Sequence, residues 1–195
     1  MSSTSRGAQR HDDDYYVTPH WLIEELLDAV EHDFLGQALK SENVLDPSCG
    51  GCNKYEPSYP TVLKKRFPNI QLMTGDIRTD SKAQICPVDF LSVEGAEQYG
   101  VVITNPPFNL SIEFVENALT HVFIGGYVVV LQRLNWLGTI KRREFWRSAP
   151  LQTVYVHHKR ASFYPDKPNK KDSIEYAHFV FKKGYSPNSA KLKVI

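Results

Sequence analysis

In Asn105-Pro106-Pro107-Phe108, residue type and order point most directly to chemistry. The stretch follows Val101-Val102-Ile103-Thr104, a β-branched apolar run that reads as a buried strand. Two consecutive prolines continue neither strand nor helix, so the chain must turn there. The turn leaves an amide side chain, a prolyl carbonyl and an aromatic ring at a strand's C-terminal end, the edge where open α/β sheets bind ligands. A proline turn that merely follows a strand satisfies the same four residues, so the rest of the chain must decide.

A second candidate stretch precedes it. Asn43-Val44-Leu45 reads as a strand running into Asp46-Pro47-Ser48-Cys49-Gly50-Gly51-Cys52, whose glycines permit a tight turn and close approach of a ligand to the backbone. The Gly-x-Gly-x-x-Gly spacing of a nicotinamide-type fingerprint is absent. Cys49 and Cys52 also admit a redox pair. A zinc site would need two more ligands, and Cys86, His157 and His158 lie far off without knuckle spacing, so no metal is expected. One βα unit further on, the strand candidate Ile70–Met73 leads to Thr74-Gly75-Asp76-Ile77. A carboxylate there is suited to accept both hydroxyls of a ribose; a turn or cap aspartate is the plain alternative.

The elements that must position these residues alternate. Thr18 reads as an N-cap and Pro19 as the first residue of a helix with Leu22, Ile23, Leu26, Leu27 and Val30 on one face. Residues 54–60 delay the next helix to Val62–Phe67, and Ser111 is placed to cap Ile112–Leu119. Gly126–Leu131 reads as a central strand leading to Arg133, and Val154–Val156 and Tyr176–Lys182 as further strands. This alternation predicts a three-layer α/β domain with a mostly parallel sheet over residues 15–184, between a polar tail at 1–14 and a C-terminal tail at 185–195.

Composition narrows the classes. The 195 residues suffice for one domain, and a net charge of +1 gives no global basic field. Nucleic-acid binding would need local patches. Lys141, Arg142, Arg143 and Arg147 interleave with Phe145 and Trp146; Lys167, Lys170 and Lys171 sit in a proline-containing stretch that reads as a mobile loop. With Arg133 they are candidate phosphate contacts, a solvated basic helix being the alternative for 140–148. No apolar run suits a bilayer span or a signal-peptide core. Three cysteines, an odd number, suggest no disulfide framework, which makes a reducing, cytoplasmic setting the default. Nothing in the chain specifies an oligomeric state.

Taken in order, Tyr16-Val17-Thr18-Pro19, Asp46–Gly51 and Asn105–Phe108 resemble the Tyr-x-Thr-Pro, Asp-Pro-x-Cys-Gly and Asn-Pro-Pro-Phe segments of class I S-adenosylmethionine-dependent DNA N6-adenine methyltransferases, most of all small phage-type ones. The resemblance spans roughly residues 15–183 and implies a three-layer Rossmann-like fold with a seven-stranded sheet, one strand of it antiparallel. It implies that Tyr16, Thr18 and Pro19 line the cofactor's methionine pocket, with Asp46, Pro47, Ser48, Cys49 and Gly50 around it and Asp76 and Ile77 at its ribose. Val88-Asp89-Phe90 resembles the family's third-strand Gly-Asp-Phe segment, in which Asp89 and Phe90 would hold the cofactor adenine. Asn105 and Pro106 would accept the two N–H bonds of the target amine, Pro107 would shape the turn, and Phe108 would stack on a flipped base. Cys52 departs from the family glycine and places the loop geometry in question. RNA adenine methyltransferases share Asn-Pro-Pro-Phe, so RNA is the alternative polymer, and a non-catalytic module that kept the fold is the alternative class.

Overall fold

The computed structural model describes residues 16–167, 169, 171–186 and 189–195. The expected tail at 1–14 and the candidate Lys170 lie outside these residues. Seven strands form one sheet: β1 (Asn43–Asp46), β2 (Gln71–Thr74), β3 (Tyr99–Thr104), β4 (Val122–Arg133), β5 (Leu151–Val156), β6 (Tyr176–Lys182) and β7 (Lys191–Val194), in the order β2-β1-β3-β4-β6-β5-β7. Only β6 runs antiparallel to its neighbours. The expected sheet is therefore present, but two segments exchange roles. The 85–91 segment contributes a single bridge, Ile85 to Gly75, and then a 3-10 turn over Phe90–Ser92. Pro87 has no N–H to continue a ladder. The seventh strand comes instead from the expected C-terminal tail: β7 pairs in parallel with β5 from Thr153↔Lys191 to Val156↔Val194. Its Lys-Leu-Lys-Val alternation is fully exposed, and lysines are usual on an edge strand.

Helices cover both faces. On one side α1 (His20–Val30), α2 (Phe34–Ser41) and α3 (Ser58–Arg66) share a core with Tyr127 and Val129 of β4. On the other, α4 (Ser111–His121) and α5 (Arg143–Ser148) share one with Val128 and Val130. Successive strand residues point to opposite faces, so a continuous apolar run serves two helix layers at once. Leu22, Ile23, Leu26, Leu27 and Val30, the apolar face of α1, are all buried, each worth roughly 1.5–3 kcal/mol relative to exposure. Three helix starts differ from expectation. Thr18 does not cap α1; Pro19 stands at the N-cap with no side-chain bond. Ser111 lies inside α4, with Leu110 at the cap. α3 begins at Ser58, because Pro60 falls within the first turn, where a proline costs no intrahelical bond. α2 was not anticipated, although Asp33 caps it through bonds from Leu35 and Gly36 N–H.

The strand order positions the site. The chain adds β2 on one side of β1 and then returns to place β3 on the other, so β1 and β3 flank a topological switch point. Their last residues, Asp46 and Thr104, are bonded side chain to side chain at 2.6 Å. The loops after β1, β2 and β3 all open onto this edge. Among the described residues no helix is long and apolar enough to cross a membrane.

Candidate active site

The loop after β1 is held by the residue that ends the next unit. Gly50 and Gly51 take φ of 70° and 80°, whereas Cys52 does not enter the positive-φ region, so its side chain leaves the turn undisturbed. Gly50 N–H donates to Asp76 Oδ2 at 2.7 Å and Arg78 N–H to Oδ1 at 2.9 Å. Each Asp76 oxygen keeps room for a further donor. A Cβ on Gly51 would meet Pro57 Cδ at 3.0 Å, so packing as well as φ requires glycine there. Cys49 is buried, and burial followed by the charges of Asp46 and Asp76 pushes its thiol up to about 12. A thiol held protonated at neutral pH argues against the redox-pair reading.

Beneath this loop lies a buried polar chain. Thr104 Oγ1 gives its proton to Asp46 Oδ1 and accepts from Ser48 Oγ at 2.7 Å; Ser48 N–H also reaches Asp46 Oδ1, at 3.3 Å. Asp46 Oδ2 has no partner among the described residues. Burial raises the Asp46 carboxyl to about 7, against the bonds from Thr104 and Ser48 that lower it. Asp46 thus supports the loops from below and is not on the cavity wall.

The turn after β3 presents Asn105 between two elements. Asn105 Nδ2 donates to Thr18 Oγ1 at 3.0 Å, and the Asn105 main-chain carbonyl lies 3.4 Å from Ser48 Oγ, whose proton goes to Thr104. Asn105 Oδ1 is buried without a hydrogen-bond partner among the described residues. Pro107 carbonyl accepts Leu110 N–H at 2.9 Å and Ser111 Oγ at 3.4 Å, and Gln132 Nε2 in turn donates to Ser111, which ties the turn to the end of β4. The Phe108 ring has the Arg133 guanidinium 5.1 Å from its centroid and Tyr176 at 6.0 Å.

These loops enclose a cavity of about 260 Å³. Its wall brings together Tyr16, Thr18, Pro47, Ser48, Cys49 and Gly50 on one side, and Asp76, Ile77, Asp89 and Phe90 on another. The whole Asn105–Phe108 turn lines it. Of the expected cofactor residues, Pro19 and Asp46 are absent from the wall, one beginning α1 and the other buried below. Asp89 caps the 3-10 turn through Leu91 N–H at 3.0 Å, and Phe90 packs on His121 at 4.9 Å. Sequence reasoning missed Ser58, Tyr59, Arg78 and Phe114 on the wall. Only Arg78, two residues after Asp76, carried a local signal.

Tyr59 also ends a second buried chain. Glu25 Oε2 lies 3.0 Å from His157 Nδ1, His157 Nε2 2.8 Å from His178 Nδ1, and His178 Nε2 2.8 Å from Tyr59 Oη. A carboxylate can only accept, so His157 donates to Glu25, His178 to His157 and Tyr59 to His178. Burial holds both imidazoles below their ordinary range and so neutral, as this order requires.

The expected phosphate contacts divide. Arg133 stands beside the turn, and the loop of Lys167 and Lys171, both exposed, rises from the same sheet edge between β5 and β6. That loop is tied down at Asp166, which accepts from Tyr55 Oη at 2.6 Å and from Lys54. Lys141 and Arg143 are exposed; Arg142 instead donates to the carbonyls of Trp136 and Gly138, both at 3.1 Å, and holds its own turn. Connecting the C-terminal end of β4 to the N-terminal end of β5, α5 carries Arg143 and Arg147 away from the sheet edge that bears these loops.

No protein-family model and no curated protein sequence matches the chain. Solved structures do. The chain is similar to the type I restriction-modification system methyltransferase subunit from Streptococcus thermophilus, with a TM-score of 0.60 and 13% identity over 88% of this chain and 45% of that one. It is similar to the type IIG restriction endonuclease BpuSI at 0.62 and 17%, covering 88% of this chain and 26% of that one. A predicted O-methyltransferase from Agrobacterium tumefaciens matches at 0.56 and 15%, over 87% and 83%. The chain thus spans less than half the length of the first two of these proteins. At these identities the likeness is one of fold: a three-layer, seven-stranded methyltransferase-type α/β domain.

Proposed function

We propose that the chain transfers the methyl group of S-adenosylmethionine to the N6 amine of adenine in DNA, with the target base flipped out of the duplex. The observation that carries this reading is at Asn105, a residue of the cavity wall whose Oδ1 is a buried acceptor without a partner among the described residues. An unpaired buried acceptor costs free energy unless a ligand supplies the donor. An exocyclic amine supplies one.

The cavity suits the cofactor as well. Asp76 offers two acceptor oxygens to vicinal hydroxyls, the Gly50–Gly51 turn brings bare backbone to the wall, and Phe90 and Asp89 offer a ring face and a carboxylate to an adenine. When bound, S-adenosylmethionine supplies an electrophilic methyl on a sulfonium. The adenine amine is a poor nucleophile because its lone pair is delocalised into the ring. Acceptance of its N–H bonds by Asn105 Oδ1 and the Pro106 carbonyl favours a more tetrahedral nitrogen with a localised lone pair. No ionised base is needed, and much of the acceleration is positional. Phe108 offers a stacking face to the base, and flipping costs a few kcal/mol that such stacking offsets. DNA is favoured over RNA because one structural neighbour is named as a restriction-modification methyltransferase subunit and another as a restriction endonuclease.

Incubation with tritiated S-adenosylmethionine and DNA, RNA and protein acceptors, followed by digestion to nucleosides, tests the reading. N6-methyladenine from DNA is the expected product. Label only in RNA would change the polymer, and cofactor binding without any transfer would leave a binding module. Asp76→Ala is expected to weaken cofactor binding by about 1.5–3 kcal/mol per bond lost to the charged carboxylate, read by calorimetry. Unchanged affinity would move the ribose contact elsewhere.

A further inference from the structure

We propose that Thr18 is the positioning residue for the catalytic amide: by accepting from Asn105 Nδ2 it turns Oδ1 of Asn105 toward the reacting amine. The inference rests on the methyl-transfer reading above and reassigns a residue that resemblance places with the cofactor.

The two ends of an asparagine amide are nearly equal in size, so hydrogen-bond partners decide which faces which way. Thr18 comes from the segment before α1 and Asn105 from the turn after β3, 87 residues apart, yet their side chains meet at 3.0 Å. Thr18 is only 4% exposed, so water does not compete freely for its hydroxyl. The hydroxyl could also donate to a reversed amide. That arrangement would put two N–H donors where Oδ1 now lies, a buried position where Oδ1 itself finds no partner among the described residues. It would also set N–H against the N–H of the substrate amine. The observed orientation leaves one buried acceptor without a partner among the described residues, and it is the one a donor-bearing substrate would satisfy. Thr18 is free for this role because it is not the N-cap of α1; Pro19 takes that position without a side-chain bond. Ser48 Oγ meanwhile reaches the main-chain carbonyl of Asn105 at 3.4 Å. The glycine loop thus packs against the backbone of the catalytic residue, and the segment leading into α1 holds its side chain.

Thr18→Val keeps the shape and removes the acceptor, whereas Thr18→Ser loses the methyl and keeps the acceptor. Three quantities are compared: the single-turnover rate on an adenine-containing oligonucleotide, cofactor affinity by calorimetry, and hydrogen exchange of the Asn105 side-chain amide in the ligand-free protein by NMR. Thr18→Val is expected to slow transfer about tenfold to a hundredfold, as expected for a mis-set transition-state contact. Cofactor affinity should be nearly unchanged, and exchange of the Asn105 amide should accelerate. Thr18→Ser should restore both rate and protection. Wild-type rate and protection in Thr18→Val would overturn the proposal. So would a rate that falls only in step with cofactor affinity, which would make Thr18 a cofactor contact. The amide exchange needs no turnover, so it tests the Thr18–Asn105 bond even if the wild-type chain methylates nothing.

Discussion

Asn105→Ala is expected to lower the rate of methyl transfer by about a hundredfold to a thousandfold while leaving cofactor affinity nearly intact. Oδ1 has no partner among the described residues, so in the proposed reaction its bond is made with substrate and strengthens as the amine nitrogen becomes tetrahedral. Loss of an interaction made chiefly in the transition state lowers kcat with little effect on cofactor binding. Phe108→Ala should behave differently. Its ring offers a face rather than a bond to the reacting atom, and its loss should weaken retention of the flipped base by about 1–3 kcal/mol. The Arg133 guanidinium and Tyr176 already pack against that ring, so Phe108→Trp must fit beside them and should keep partial activity. Single-turnover kinetics with 2-aminopurine at the target position separate the two effects. Near wild-type transfer by Asn105→Ala would end the N6-adenine reading.

The parts of the site legible in the sequence were those dictated by backbone chemistry. Two prolines after a β-branched run force a turn at a strand end, and two glycines after Asp46-Pro47-Ser48-Cys49 permit the tight loop; both stand where these residue types require. Cys52 raised doubt only because a family comparison expects glycine there; the local φ values show that Gly50 and Gly51 alone carry the turn. What was not legible depends on residues distant in sequence. Thr18-Pro19 fits a helix start locally, and nothing near it announces Asn105. Asp46 looks like a ligand contact until burial and Thr104 show that it supports the loops from below. His157 and His178 are single histidines in or beside strands, and only the packing of β5, β6, α1 and α3 joins them to Glu25 and Tyr59. At the sheet's edges, one proline cut an expected strand to a single bridge, and a lysine-rich segment that read as a tail formed β7.

Asp46→Asn is expected to stabilise the ligand-free protein at alkaline pH relative to wild type. The carboxyl is fully buried, one oxygen accepts from Thr104 and Ser48, and the other has no partner among the described residues, so the ionised form is poorly solvated. Burial raises its pKa from 3.8 to about 7. The folded state therefore keeps a proton that the unfolded state releases between these values. The stability this group contributes is fully present below the unfolded pKa and is lost as pH rises through about 7. His157 and His178 act in the opposite sense: their folded pKa values are depressed, so the unfolded state takes up protons first and stability falls as pH drops below about 6.5. The two trends partly cancel in the wild-type profile, and subtraction of the variant isolates the carboxyl. Asparagine resembles the protonated acid and does not titrate. The stability of Asp46→Asn minus that of wild type should therefore rise by about 2–3 kcal/mol between pH 5 and pH 8 in urea unfolding. A difference independent of pH would mean that Asp46 ionises normally in the folded chain, and that Oδ2 finds a donor among the groups beneath the glycine loop.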